Sequence, residues 1–145
     1  MLTARTYQEA AAANKTPLEI DLPSQLPPVK IYEEYLSNAL GRLISNSIKF
    51  SHATQKPIKI TASTSAEWVD IAVIDQGIGI TPENLKQIFK RFRQINREKM
   101  EQQGIGMGLY ITRSLVEIHG GDLDAVSEPG EGSTFTIHLP IVKEL

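Results

Sequence analysis

The alternation in EWVDIAVID (67–75) constrains this chain most. Val69, Ile71, Val73 and Asp75 fall on one face by the two-residue period of a strand. Three of them are apolar, so that face is the buried one, and the strand must belong to a sheet with a covered side. Asp75 then carries a carboxylate towards the core at the strand end, where it needs hydrogen-bond donors. Gly77 and Gly79 follow at once in DQGIGI (75–80) and permit sharp turns and the close approach of another group. Alone, a strand-ending Asp that caps its own turn is the commoner arrangement. The alternative is a carboxylate that accepts from a ligand amine.

The rest of the chain reads as the partners of that strand. TYQEAAAANK (6–15) predicts a short N-terminal helix, within a lead-in over 1–17. LEIDL (18–22) alternates as a strand, and PSQLPP (23–28) is an extended connection. VKIYEEYLSNALGRLISNSIKF (29–50) holds an amphipathic helix with Leu36, Leu40, Leu43 and Ser47 on one stripe, widened by Ile44 and Phe50. Gly41 interrupts it at a cost of roughly 1 kcal/mol. PIKITAST (57–64) pairs with 67–75 through a short turn. TPENLKQIFKRF (81–92) is a helix with Thr81 as N-cap and Pro82 at its first position. GLYITRSLVEIHGG (108–121) is a helix with Ile111, Leu115 and Ile118 inward, stopped by Gly120 and Gly121. LDAVSEPGEGSTFTIHLP (123–140) is strand, turn, strand, with Ser133, Phe135, Ile137 and Leu139 on one face. Hairpins mixed with helices predict a single α/β sandwich over 1–145: a mixed, mostly antiparallel sheet of about five strands with about three helices on one face.

Composition narrows the function classes. At 145 residues with 41% hydrophobic and 22% charged, the chain has an ordinary globular balance. A net charge of −2 gives no global nucleic-acid signal. The absence of cysteine excludes disulfides, thiolate metal sites and thiol nucleophiles. No apolar run approaches the ~18 residues of a membrane span, and the first ten residues lack a signal-peptide core. A cytoplasmic setting, with no direct membrane contact by this segment, is the expectation.

Three further stretches carry candidate chemistry. In LISNSIKF (43–50), Arg42, Asn46 and Lys49 neighbour one another on the helical wheel. Alone, such a trio is more often a solvated helix face; as a site, Asn46 offers a neutral oxygen suited to a hard cation, and Lys49 a point charge suited to phosphate. In 88–103, Lys90, Arg91, Arg93, Arg97 and Lys99 outnumber Glu98 and Glu101, which reads as an exposed loop, as a cationic flap beside an anion or, less well in an acidic chain, as a nucleic-acid patch. GIGMGL (104–109) fails as a dinucleotide fingerprint, because its third glycine comes one residue early and a polar segment precedes it. It fails as a P-loop because Leu109, not Lys, follows Gly108. What remains is a glycine loop feeding a helix N-terminus, which presents free N–H groups to an anion.

The order of these stretches resembles the ATP-binding catalytic domain of sensor histidine kinases, in the GHKL superfamily. LISNSIKFS matches the N box, DQGIGI the first glycine box, IFKRF the phenylalanine box and GIGMGL the second glycine box. VEIHGG and SEPGEGSTFTIHLP are similar to the family's ending. The resemblance runs from about Leu18 to Pro140 and implies the Bergerat-type α/β sandwich.

It also implies ATP and Mg²⁺ as ligand and cofactor. Asp75 would accept from the adenine amino group, with Gly77 and Gly79 letting backbone and water approach the base and Phe50 and Ile80 bordering it. Asn46 would hold Mg²⁺ and Lys49 would contact phosphate, the two being the catalytic pair. Residues 93–108 would form the ATP lid, with Arg93 or Arg97 reaching phosphate and Gly104, Ile105, Gly106, Met107, Gly108 and Leu109 forming its hinge and the phosphate-facing turn. Phe89 and Phe92 would face the phosphoacceptor domain. The implied partners are the dimerisation and histidine phosphotransfer domain of the same kinase and a response regulator receiver domain. Neither His52, His119 nor His138 is followed by an acidic residue, so none looks like the phosphoacceptor. Alone, the chain should bind ATP without completing the kinase reaction. The alternatives are a nucleotide-binding regulatory module on this fold and an anti-sigma-type serine kinase; the phenylalanine box argues against the second. The family's frequent Asn four residues before Asn46 is Arg42 here, and Gln94 stands where a phosphate-contacting Arg is common.

Overall fold

The computed structural model describes residues 11, 16–51, 53–89 and 108–143. In chain order the elements are β1 (Leu18–Asp21), α1 (Glu33–Ser51), β2 (Ile58–Ser65), β3 (Trp68–Asp75), α2 (Pro82–Leu85), α3 (Gly108–Glu117), β4 (Asp122–Glu128) and β5 (Gly132–Pro140). The strands form one sheet in the order β1-β2-β3-β5-β4. β1 pairs with β2 in parallel, and every other pairing is antiparallel. The expected mixed, mostly antiparallel α/β sandwich is the fold observed.

The strands alternate as their sequences require. Val69, Ile71, Val73 and Asp75 of β3 lie inward beside Leu139, Ile137, Phe135 and Ser133 of β5, each opposite its register partner. Ile58 and Ile60 of β2 and Leu123 of β4 complete the inner layer. α1 covers it with Leu40, Leu43, Ile44 and Ile48, and α3 packs beside α1. Phe135, Leu43 and Ile44 are fully buried, so truncating Phe135 to Ala would cost about 3–5 kcal/mol. Gly41 is buried within α1 and does not break the helix.

Two local expectations change. Of the helix expected over 81–92, Pro82–Leu85 form a single helical turn, capped as predicted by the Thr81 hydroxyl accepting from Asn84 N at 3.3 Å, and residues 90–92 lie outside the described residues. Turns follow it to Phe89. The inner face of α3 and the turn that follows it is Leu109, Thr112, Val116 and His119, whereas Ile118 is half-exposed. Hydrophobicity misplaced that face because two of its four residues are polar.

His119 closes that inner face with a polar ring. It is buried, its Nδ1 lies 2.9 Å from the Leu115 carbonyl, and its Nε2 accepts from the Tyr32 backbone N–H at 2.9 Å. A carbonyl only accepts, so Nδ1 carries the proton and the ring is neutral. The helix expected over 6–15 lies outside the described residues, apart from Ala11, which is helical and buried.

Candidate functional site

The C-terminal end of α1, the glycine loop after β3 and the β4–β5 turn converge on the Asp75 carboxylate. Asp75 is 3% exposed. Its Oδ1 accepts from Gly77 N at 3.0 Å and Ser133 N at 3.2 Å, and its Oδ2 accepts from the Ser47 hydroxyl at 3.3 Å. Burial pushes the carboxyl above its ordinary value, and these three hydrogen bonds pull it back only in part. Oδ2 holds a single long hydrogen bond and so keeps acceptor capacity, which a carboxylate in this setting would give to an N–H donor.

The glycines serve the approach of the protein's own backbone. A Cβ on Gly77 would stand 2.3 Å from the Phe50 carbonyl oxygen, to which Ile78 N donates at 3.2 Å. Gly79 has φ +74°, and a Cβ there would stand 2.1 Å from the Glu128 carbonyl oxygen. The loop is then locked to the β4–β5 turn, because Gly130 N donates to Ile78 O at 2.8 Å and Ile80 N donates to Ser127 Oγ at 2.8 Å. Ser127 Oγ donates in turn to Gly132 O at 2.9 Å and lies 2.7 Å from Ser133 Oγ.

The helix supplies the remaining candidates. Asn46 is 8% exposed on α1, one residue before the Ser47 that donates to Asp75. Lys49 is exposed, and Phe50 and Ile80 are buried in the core. Arg42 donates from Nε to Asn38 Oδ1 at 2.7 Å on the exposed side of α1. Gly108 opens α3 and Leu109 is fully buried at its first turn. Phe89 is half-buried against the core. Phe92, Arg93, Arg97, Gly104, Ile105, Gly106 and Met107 lie outside the described residues. Three residues that complete the Asp75 environment were not singled out from the sequence as site residues: Ser47, Ser127 and Ser133. The signal for Ser133 was a hydroxyl on an otherwise apolar strand face, the same anomaly that marks Asp75.

Among the described residues no cluster of three or more His, Cys, Asp or Glu side chains could hold a metal. That does not disfavour Mg²⁺, which is usually held by one or two protein oxygens together with substrate phosphates and water. The Asn46 amide, nearly buried and with a neutral oxygen, is a ligand of that type. Among the described residues no helix is long and apolar enough to cross a membrane.

The helices thus face a mixed sheet whose third strand ends in a buried carboxylate among glycines. Residues 32–143 match the family model for the histidine kinase-, DNA gyrase B- and HSP90-like ATPases, and the chain belongs to that family. Its kind within the family is the sensor-histidine-kinase ATPase domain. It is 37% identical over 145 residues to the sensor histidine kinase RppB of Synechocystis, covering 97% of this chain and 31% of that protein. It is 35% identical over 124 residues to the adaptive-response sensory kinase SasA of Prochlorococcus marinus, covering 86% of this chain and 32% of that protein. The crystal structure of full-length ShkA in complex with AMPPNP superposes with a TM-score of 0.81 at 26% identity, covering 99% of this chain and 29% of that one. The chain thus spans about a third of the length of the curated relatives just named.

Proposed function

We propose that this chain is the single catalytic and ATP-binding domain of a two-component sensor histidine kinase. It would bind Mg-ATP in the cytoplasm and present the γ-phosphoryl group to a histidine on a separate dimerisation and phosphoacceptor domain. The phosphohistidine would then serve a response regulator receiver domain. The Asp75 carboxylate, fixed at Oδ1 by two backbone amides and lightly engaged at Oδ2, carries this reading. Oδ2 would accept from the adenine 6-amino group, and guanine would meet it with an oxygen and be rejected. Phe50 and Ile80 would wall the base. The similarity to ShkA, whose full-length structure is a complex with AMPPNP, supports a nucleotide as the ligand of this fold.

The phosphate end falls to α1 and the start of α3. Asn46 would hold Mg²⁺ through its amide oxygen, and Lys49 would contact phosphate. The metal, when bound, neutralises phosphate charge and helps to align the transfer in line. The amides at the start of α3, from Gly108, would face the phosphates. Phe89 would face the incoming phosphoacceptor domain.

The experiment is a two-step assay. Mg-ATP binding is titrated first, and labelled ATP is then supplied together with the dimerisation domain of the same kinase. ATP bound in preference to GTP, followed by label on that domain, is the expected result. Tight ATP binding with no label would overturn the kinase reading and leave a nucleotide-binding regulatory module. Asn46→Asp should disturb Mg²⁺-dependent binding more than metal-free binding.

A further inference from the structure

We propose that Arg113 is a positioning residue that sets Phe89 for docking of the phosphoacceptor domain. This rests on the docking role given to Phe89 above. The Arg113 guanidinium carbon lies 5.2 Å from the centre of the Phe89 ring, within cation–π reach. Its Nε donates to Asp122 Oδ1 at 3.3 Å, and the same oxygen accepts from Leu123 N at 2.8 Å at the start of β4. A chain of contacts therefore runs from the sheet through α3 to the ring.

Phe89 needs such a support. It follows a helix of one turn in which no residue is fully buried; Leu85 and Phe89 itself pack only partly against the core, which leaves one side of the ring to be set by other contacts. Ile88 is fully buried and anchors the backbone, but it cannot fix the neighbouring ring's face. Arg113 does so while leaving Phe89 half-exposed. The Arg113–Asp122 pair is itself half-exposed, with side chains 39% and 50% accessible, and pairs of that kind add little stability. Its use is orientation. An aromatic anchor at an interface contributes through a fixed pose in a partner's pocket.

The contact also crosses the connection between α2 and α3. Residues 90–107 join Phe89 to Gly108, and Arg113 reaches back from α3 to the residue where that connection begins. The aromatic face offered to the partner is thereby referenced to the helix whose N-terminus would face the phosphates. The partner recognised would be an apolar helical surface beside the acceptor histidine.

The test adds this chain in trans to the dimerisation and phosphoacceptor domain of its own kinase. Arg113→Gln is expected to raise the KM for that domain roughly fivefold, leaving kcat and the Kd for ATP unchanged. Arg113→Lys keeps a cation over the ring, should restore most of the loss, and guards against a trivial failure to fold. Phe89→Ala should raise KM at least as much, and Arg113→Gln should add little on top of it. An equal loss of ATP affinity in Arg113→Gln would overturn the proposal, as would a wild-type KM in Arg113→Gln beside a raised one in Phe89→Ala. An unchanged KM in Phe89→Ala removes the docking role of Phe89 and this proposal with it; the ATP titration judges the nucleotide site separately.

Discussion

The backbone amide of Ser133 donates to Oδ1 of Asp75 at 3.2 Å, although 58 residues of sequence separate them. β3 and β5 place the two residues directly opposite each other at the strand ends. Their pairing makes the candidate base-binding carboxylate a product of sheet register.

Asp75→Asn should separate binding from stability. The asparagine oxygen can keep the amides of Gly77 and Ser133, and its NH₂ can donate to the Ser47 hydroxyl. The NH₂ would then oppose the adenine amino group donor to donor. Loss of a hydrogen bond to a charged acceptor predicts a roughly 10- to 100-fold weaker ATP affinity by calorimetry. The Asp75 carboxyl is raised by burial, so it favours folding at low pH and loses that contribution as pH rises through its folded value. At neutral pH the carboxylate therefore costs stability, and the variant should melt at a higher temperature than the wild type.

His138 provides a second, oppositely placed titration. On the uncovered face of the sheet its Nδ1 lies 2.6 Å from Asp70 Oδ1 and its Nε2 lies 2.7 Å from Asp124 Oδ2. Burial pulls the imidazole down, but the hydrogen bonds and charges of the two carboxylates outweigh it and raise it above 6.5. A raised histidine stabilises fully below its unfolded value and loses that contribution as pH climbs through the folded one. The urea midpoint should fall from about pH 6 upward through that window, and His138→Gln should flatten the slope there.

A matched pair of glycine substitutions isolates the close approach in the glycine loop. Gly130 has φ +82° with no atom near its missing Cβ among the described residues, and Gly79 has φ +74° with the Glu128 carbonyl oxygen 2.1 Å away. Gly130→Ala should cost about 1–2 kcal/mol, the ordinary penalty of that conformation. Gly79→Ala should cost at least about 3 kcal/mol, because a backbone carbonyl must also move. Chemical denaturation measures both.

His119→Ala removes the acceptor for the Tyr32 amide and should cost about 1–3 kcal/mol. Hydrogen exchange at the Tyr32 amide should accelerate in the variant. Nitrogen NMR of the wild type should show the proton on Nδ1.

Much of this was legible in the sequence, for physical reasons that differ by element. The sheet was readable because period-two alternation is strict in EWVDIAVID and in GSTFTIHLP, and Asp75 stood out as polar on an apolar face. α3 was misread because Thr112 and His119 turn inward, the latter between the Leu115 carbonyl and the Tyr32 amide, whereas Ile118 turns out. The glycines announced a close approach but not its partner. Which carbonyl meets Gly77 or Gly79 depends on how α1 and the β4–β5 turn dock, and no local pattern encodes that. Asn46 and Lys49 shared a wheel face in the sequence, yet one is nearly buried and the other exposed, because they straddle the edge of the α1 stripe.

β3 and β5 are neighbours in the sheet, yet everything from residue 76 to residue 131 is threaded between them, β4 included. That excursion leaves the β3–β5 ladder at Asp75 and rejoins it opposite, at Ser133. Its closure is secured by paired strands that do not depend on its length. Each doubling of such a connection costs only about 0.6 kcal/mol in chain entropy. The register that sets Ser133 opposite Asp75 is therefore independent of how long the excursion is, so the carboxylate's amide partner is fixed by the ladder and not by the chain that joins the two strands.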